Sequence, residues 1–408
     1  MEVVHERCAG LDVHKKTIVV CIITGGGRGK REIRTFGSMT EELRRLVAWL
    51  ESERIMHVAM ESTGSYWKPV FNLLEESGIE AIVVNAAHIK AVPGRKTDVR
   101  DAEWIAELMR HGLLRGSFIP DREHRELREL VRYRRSVVQE RSREIARLQK
   151  VLEGANIKLD SVVSSIMGKS SRRMLERIVQ GHDDPEELAS LALGRLKTKR
   201  GELVKALDGL VGAHQRFLLD EQLRHIEELE ERIARLTREI EERMRHFEAA
   251  VVAIGEIPGI GRIGAQEIVA EIGVDMNRFP THKHIASWAK VCPGNNESAG
   301  KRRSGRTGRG NPWLRSTLVE AAWAAARTKD SYLRAQYYRL KARKGAKRAA
   351  LAVAHSILVS IYYMLRDGTQ YQDLGADFFD KLSKERIAQY HTRRLRDLGF
   401  DVTLTNAA

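Results

Sequence analysis

Over the first hundred residues apolar and polar positions alternate in short runs. Cys8 to Ile23, "CAGLDVHKKTIVVCII", contains two β-rich runs joined by the polar His14 to Lys16. "GGGRG" then supplies a turn and "KREIRTF" a third run, which predicts an antiparallel meander. The period changes next. "SMTEELRRLVAWLES" has an N-cap signal followed by apolar positions at helical spacing, "MHVAM" is a short buried strand, "SYWKPVFNLLEESG" is a helix ending at Gly78, and "EAIVV" is another strand. A last helix is expected from about Thr97 to His111, stopping at Gly112.

From Pro120 onward the pattern is helical. Leu127, Leu130, Val131, Val137, Val138, Ile145 and Leu148 form an apolar stripe, while arginines from Arg122 to Arg147 crowd the other positions. After breaks at Gly168, Asp183 to Pro185 and Gly212, apolar residues from Leu219 to Phe247 recur at three- and four-residue steps among Glu and Arg. That is a coiled-coil seam, either intermolecular or folded back on the Arg-rich helix. "AIGEIPGIGRIGAQEIVAEIG" then predicts a helix-hairpin-helix, "PWLRSTLVEAAWAAART" an apolar helix with Pro312 near its start, and Ala349 to Leu365 a buried helix. The fold class expected is mixed α/β plus all-α: residues 1–118 with the element order of a ribonuclease H-like (RuvC-like) domain, 119–249 a helical and coiled-coil linker, and 250–408 a helical C-terminal domain. In that topology the first strand and the "MHVAM" strand are neighbours.

A net charge of +15, from 70 Lys and Arg against 55 Asp and Glu, changes the picture by pointing to a polyanionic partner. Nucleic acid is favoured over a membrane, because no charged-then-apolar leader follows Met1 and the longest apolar stretch is shorter than a span. Cys8, Cys21 and Cys292 have no paired spacing, so neither a disulfide framework nor a zinc site is expected, and a reducing cytosol is implied.

Asp12 lies inside an apolar strand, where a charge is expensive unless paired or metal-bound. Glu61 ends another strand, and Asp98 and Asp101 are three apart on the expected helix, with Lys96 beside them. Taken singly these acids read as a strand-end contact or helix-start residues; taken together they suit Mg²⁺ or Mn²⁺. Gly259 and Gly261 are placed to let backbone N–H groups approach a phosphate. Arg128, Arg132 and Arg135 read as nucleic-acid backbone contacts. The stretch "NNESAGKRRSGRTGRGN" combines Ser298 with Lys301, Arg302, Arg303, Arg306 and Arg309, and reads as a phosphate-meeting loop with neither helix nor strand structure.

"GLDVHKKT", "ESTGSYW", "KTDVRDAEWIAELMRHG", "IPGIGRIGAQEIVAEIG" and "CPGNNESAGKRRSG" together resemble the insertion-sequence DEDD transposases related to the Piv DNA invertase, a group described as bridge-RNA-guided recombinases. The resemblance covers about residues 8–115 and 250–365. It implies that Asp12, Glu61, Asp98 and Asp101 are the family's four metal-binding acids, that Ser298 is the nucleophile joined covalently to DNA, and that both parts form a composite site. It further implies donor and target DNA and a structured guide RNA as partners, a homodimer or tetramer, and a cytoplasmic, nucleoid-associated location in a bacterium or archaeon. The alternatives are a metal-dependent junction nuclease in which water attacks and Ser298 only binds, and a non-catalytic RNA-binding scaffold.

Overall fold

The alternating runs near the N-terminus form one five-stranded sheet in the computed structural model of the chain. The structure describes residues 2–404 except 28, 63, 86–88, 90–100, 295, 299–300, 305–306, 309 and 383; at 296–298, 301–304, 386 and 387 it describes the backbone alone. Contacts divide the chain into two units, Met1–Glu123 and His124–Ala408.

In the first unit the strands are β1 (Arg7–Val13), β2 (Thr17–Thr24), β3 (Lys30–Gly37), β4 (His57–Glu61) and β5 (Glu80–Val84), in the sheet order β3-β2-β1-β4-β5. β1, β2 and β3 form the expected antiparallel meander, and β4 and β5 run parallel to β1. The central strands are buried on both faces, which is why their sequences run nearly continuously apolar, whereas edge strand β3 carries Lys30, Arg31, Glu32 and Arg34 and is largely exposed. On one face Leu11, Ile18, Val20, Ile22, Val58 and Met60 pack beneath α1 (Thr40–Ser52) and α2 (Trp67–Glu76). On the other, Cys8, Cys21, Ile23, Ala59 and Val84 pack beneath α3 (Asp101–Arg110). The last side chain of α3, Arg110, is fully buried, and its guanidinium donates to the carbonyls of Gly25 and Gly27, tying the β2–β3 turn to the helix.

In the second unit, α4 (Arg122–Gly154), whose first two residues belong to the first unit, carries the Arg-rich sequence, and α5 (Lys169–Val179) and α6 (Ala213–Arg243) follow. Glu126 pairs with Arg243 at 3.3 Å and Arg141 with Glu230 at 2.5 Å, so α4 and α6 run antiparallel. The Leu219 to Phe247 seam is therefore folded back within the chain. Leu219, Leu223 and Ile226 share a core with Leu148, Leu152, Met174 and Ile178, and short helices between residues 159 and 207 complete that core. Glu230 sits where partial burial opposes its charge, but hydrogen bonds from Arg141 and Arg172 outweigh this and hold its carboxyl below the usual range.

The stripe on α4 differs from its expected membership. Val138 is exposed, and Arg134 and Glu144 lie on the buried line instead. Burial lowers the pKa of Arg134, whose Nη1 donates to the Gln266 amide oxygen at 3.0 Å. The chain continues through α7 (Glu248–Gly255), α8 (Arg262–Ile272), α9 (Pro312–Ala325), α10 (Tyr332–Lys344) and α11 (Ala346–Asp367). Among the described residues α11 is the only helix long and apolar enough to cross a membrane, and half of its apolar window is buried in this unit. It packs against α9 and α10.

All three cysteines are free thiols. Burial beneath α3 pushes the Cys8 thiol up to about 12 and the Cys21 thiol to about 11, from a usual 9.0. A raised thiol pKa means that the fold favours the neutral form, so this contribution is complete below pH 9 and is lost as pH rises toward 12. The stability difference between the wild-type chain and Cys8→Ala, measured by urea unfolding, is expected to shrink by about 1.4 kcal/mol per pH unit above pH 9. A difference that stays constant to pH 11 would contradict the burial argument.

Candidate active site

β1 and β4 are parallel, with Gly10 opposite Ala59 and Leu11 opposite Met60. The next residues in that register are Asp12 and Glu61. Each lies at or next to the C-terminal end of its strand. Alternation points Leu11 and Met60 into the core under α1 and α2, so Asp12 and Glu61 lie on the opposite face, the one α3 covers.

Gly10 decides how closely α3 packs on β1. A Cβ on Gly10 would stand 2.3 Å from the Ala102 carbonyl oxygen and 2.2 Å from the Ala106 nitrogen, while the Cys8 thiol meets the Ala106 carbonyl at 3.6 Å. The helix thus crosses β1 with its lower-numbered end toward Asp12, and its first described residue is the half-buried Asp101. Asp12, Glu61 and Asp101 are brought to one end of one sheet face. Asp98 and Lys96 lie outside the described residues, as does the expected start of the helix at Thr97. Among the described residues no three His, Cys, Asp or Glu side chains meet closely enough to hold a metal ion. One partner of Asp12 is given by the fold: its Oδ2 lies 3.0 Å from His14 Nε2.

The glycine- and charge-rich stretch departs from expectation, because it contains two strands. β6 (Asn296–Ser298) and β7 (Lys301–Ser304) pair antiparallel, with Ser298 opposite Lys301 and Glu297 opposite Arg302. A two-stranded ribbon needs only its own ladder and a short connection, so like charges and missing apolar residues do not prevent it. Ser298 ends β6, and Lys301, Arg302 and Arg303 lie on β7; Arg306 and Arg309 lie outside the described residues.

Three arginines expected to meet a nucleic-acid backbone are used internally. Arg128 donates to the carbonyls of Ala270 and Glu271, and Arg132 forms a two-pronged pair with the Glu271 carboxylate at 2.7 and 2.9 Å. Arg135 is bound by Glu267, Thr317, Ser316 and Glu320. The reason is spacing: positions 128, 132 and 135 share a face of α4, and that face is packed on the C-terminal end of α8. Glu271 is 2% exposed and also accepts from the Asn311 side-chain amide at 2.6 Å. The Asn311 side-chain oxygen in turn accepts from the backbone N–H groups of Trp313 and Leu314, capping α9. Asn311, and with it the start of α9, is thereby anchored to α4 and α8.

The two hairpin glycines have different roles. Gly259, at φ +91°, lies so close to α9 that a Cβ would stand 2.3 Å from the Ala321 carbonyl oxygen, which makes it a packing residue. Gly261 precedes α8 with open space around it. Gly10, His14, Glu271 and Asn311 were not singled out by the sequence; only Asn311, directly before Pro312 at a helix start, carried a readable capping signal.

Residues 9–157 match the DEDD transposases of the IS110 type, and residues 252–338 match the transposase family IS116/IS110/IS902. Among individual relatives, y4qE of Sinorhizobium fredii (strain NBRC 101917 / NGR234) is 27% identical over 371 residues, covering 88% of this chain and 82% of that protein. A family 20 transposase by name from Pseudomonas aeruginosa is 28% identical over 274 residues, 66% of this chain and 71% of the relative. Both carry transposase names.

Gly10→Ala is expected to push α3 off β1, lowering stability by about 1–3 kcal/mol through overpacking. Thermal unfolding checks this, and an unchanged midpoint would mean that α3 is not held against Gly10. Glu271→Ala leaves the part-buried Arg128 and Arg132 without their acid and is expected to cost about 3–5 kcal/mol by urea unfolding. A loss under 1 kcal/mol would show that this pair does not hold α4 to α8.

Proposed function

Because the chain belongs to the IS110 family of DEDD transposases, we propose that it breaks and rejoins DNA strands, with Asp12, Glu61, Asp98 and Asp101 as a metal-holding set and Ser298 as the nucleophile. The observation that carries this reading is the common register of Asp12 and Glu61 on adjacent parallel strands, at the sheet end toward which Asp101 of α3 lies. The sheet order, with three antiparallel strands and two parallel ones, supports a ribonuclease H-like domain.

The donors are all carboxylate oxygens, a set that fits Mg²⁺ or Mn²⁺. When bound, such ions supply charge stabilisation for the attacking and leaving oxygens of a phosphodiester. A serine hydroxyl is a weak nucleophile at neutral pH and needs that kind of activation. Ser298 Oγ gives up its proton as it bonds to phosphorus, and the bond from phosphorus to one deoxyribose oxygen breaks, that oxygen taking up a proton. A hydroxyl on the incoming strand then gives up its proton as it bonds to phosphorus and displaces Oγ, which takes up a proton again, so no phosphodiester is lost to water. Lys301, Arg302 and Arg303, close to Ser298 on the paired strand, offer cations to the charge on the reacting phosphate, with Arg306 and Arg309 following in sequence. Target choice by base pairing with a guide RNA, and action as a homo-oligomer, complete the reading. The net charge of +15 suits two polyanionic partners.

The test is incubation of the full chain, co-expressed with its RNA, with Mg²⁺ and end-labelled DNA, followed by denaturing electrophoresis before and after protease. A protease-sensitive shifted band is expected, absent in Ser298→Ala and in Asp12→Ala. Free cleaved DNA that persists in Ser298→Ala but disappears in Asp12→Ala would replace strand transfer with hydrolysis.

A further inference from the structure

Between α9 and α11 lies a groove of about 700 Å³. Its lining includes the half-buried Val319, Trp323 and Leu351, and the Trp323 ring rests on the buried Tyr337 with centroids 5.6 Å apart. Arg315, Lys347 and Arg348 also line it. Its one carboxylate, Glu320, is bound by Arg135. We propose that this groove binds a single strand of DNA, with one unstacked base against Trp323 and phosphates on Arg315, Lys347 and Arg348.

Charge distribution supports this first. Most arginines of α4 are paired with acids of this chain, whereas Arg315, Lys347 and Arg348 form no ion pair among the described residues. Lys347 and Arg348 also stand in the first turn of α11, where the helix dipole opposes cations and no acidic residue compensates. A phosphate at that position would offset both effects. The cationic run continues upstream through Arg339, Lys341, Arg343 and Lys344.

The half-buried aromatic ring selects a single strand over a duplex. A base stacks on an indole only if its own face is free, and a paired, stacked duplex offers none along its length. DNA is favoured as the occupant by connectivity. Arg315 is in the first turn of α9 and donates to the Gly308 carbonyl at 3.2 Å, within the segment that leads from the Ser298 ribbon to that helix. A strand joined to Ser298 has this groove close by along the chain. The choice of DNA rests on the strand-transfer reading; the groove's affinity for a single strand does not.

The experiment is fluorescence anisotropy of a labelled oligo-dT single strand with the full chain, over a range of salt concentrations. Lys347→Gln combined with Arg348→Gln is expected to weaken binding about ten-fold and to reduce the slope of log K against log salt by about 1.4, at about 0.7 per phosphate contact. Trp323→Leu is expected to weaken binding about ten-fold with the slope unchanged. Thermal unfolding checks each variant, and if Trp323→Leu does not fold, the exposed charge pair still decides. Wild-type affinity and slope in the charge variant would overturn the groove even if Ser298 forms its covalent link. Loss of binding in the charge variant while Ser298→Ala forms products normally would keep the groove and remove the serine reading. A single-stranded RNA of equal length that binds more tightly than the DNA, and loses that affinity in the same variants, would overturn DNA as the occupant.

Discussion

The second unit depends on one buried carboxylate. Glu271 is almost completely withdrawn from water, and a lone carboxylate there would carry a desolvation cost of several kcal/mol. Arg128, Arg132 and Asn311 surround it, from two elements far apart in sequence. The same pairing joins the long helical hairpin to α8 and fixes the cap of α9. Through Asn311, this one buried acid also holds the start of α9, the helix that follows the Ser298 ribbon in the chain.

The first unit has a comparable constraint without any charge. A missing side chain at Gly10 lets α3 approach β1 to a distance that even a methyl group would forbid. Because Gly10 and Asp12 are two residues apart on one strand, they share a face, and the close approach brings Asp101 toward the end of the sheet where Asp12 and Glu61 lie. Backbone packing sets this placement, and its cohesion comes from the apolar residues of α3, among them Ala102, Ile105, Ala106 and Met109.

Positive charge is used in two ways in this chain. On α4 it is internal: Arg132, Arg135, Arg141 and Arg147 each face a Glu. On the ribbon's β7 and at the start of α11 the basic residues are grouped with few acids in the local sequence. The net charge alone assigns these groups no separate roles, since both enter the sum equally.

By itself the sequence determined the strand and helix order of residues 7–84, because periods of two and of about 3.6 are local properties that short-range sterics and burial impose. It also marked Asp12 as costly in an apolar strand, and located the apolar α11. The pairing partners were decided only in three dimensions. Whether the Leu219 to Phe247 seam turned to a second chain or to α4 depended on an antiparallel register fixed by Glu126 with Arg243 and Arg141 with Glu230. Whether Arg128 and Arg132 met phosphate or protein depended on the buried Glu271, about 140 residues away, and for Arg135 it depended on Glu267 and Glu320. A charge pattern gives the sign of a partner, and only the tertiary structure shows that the partner is already within the chain.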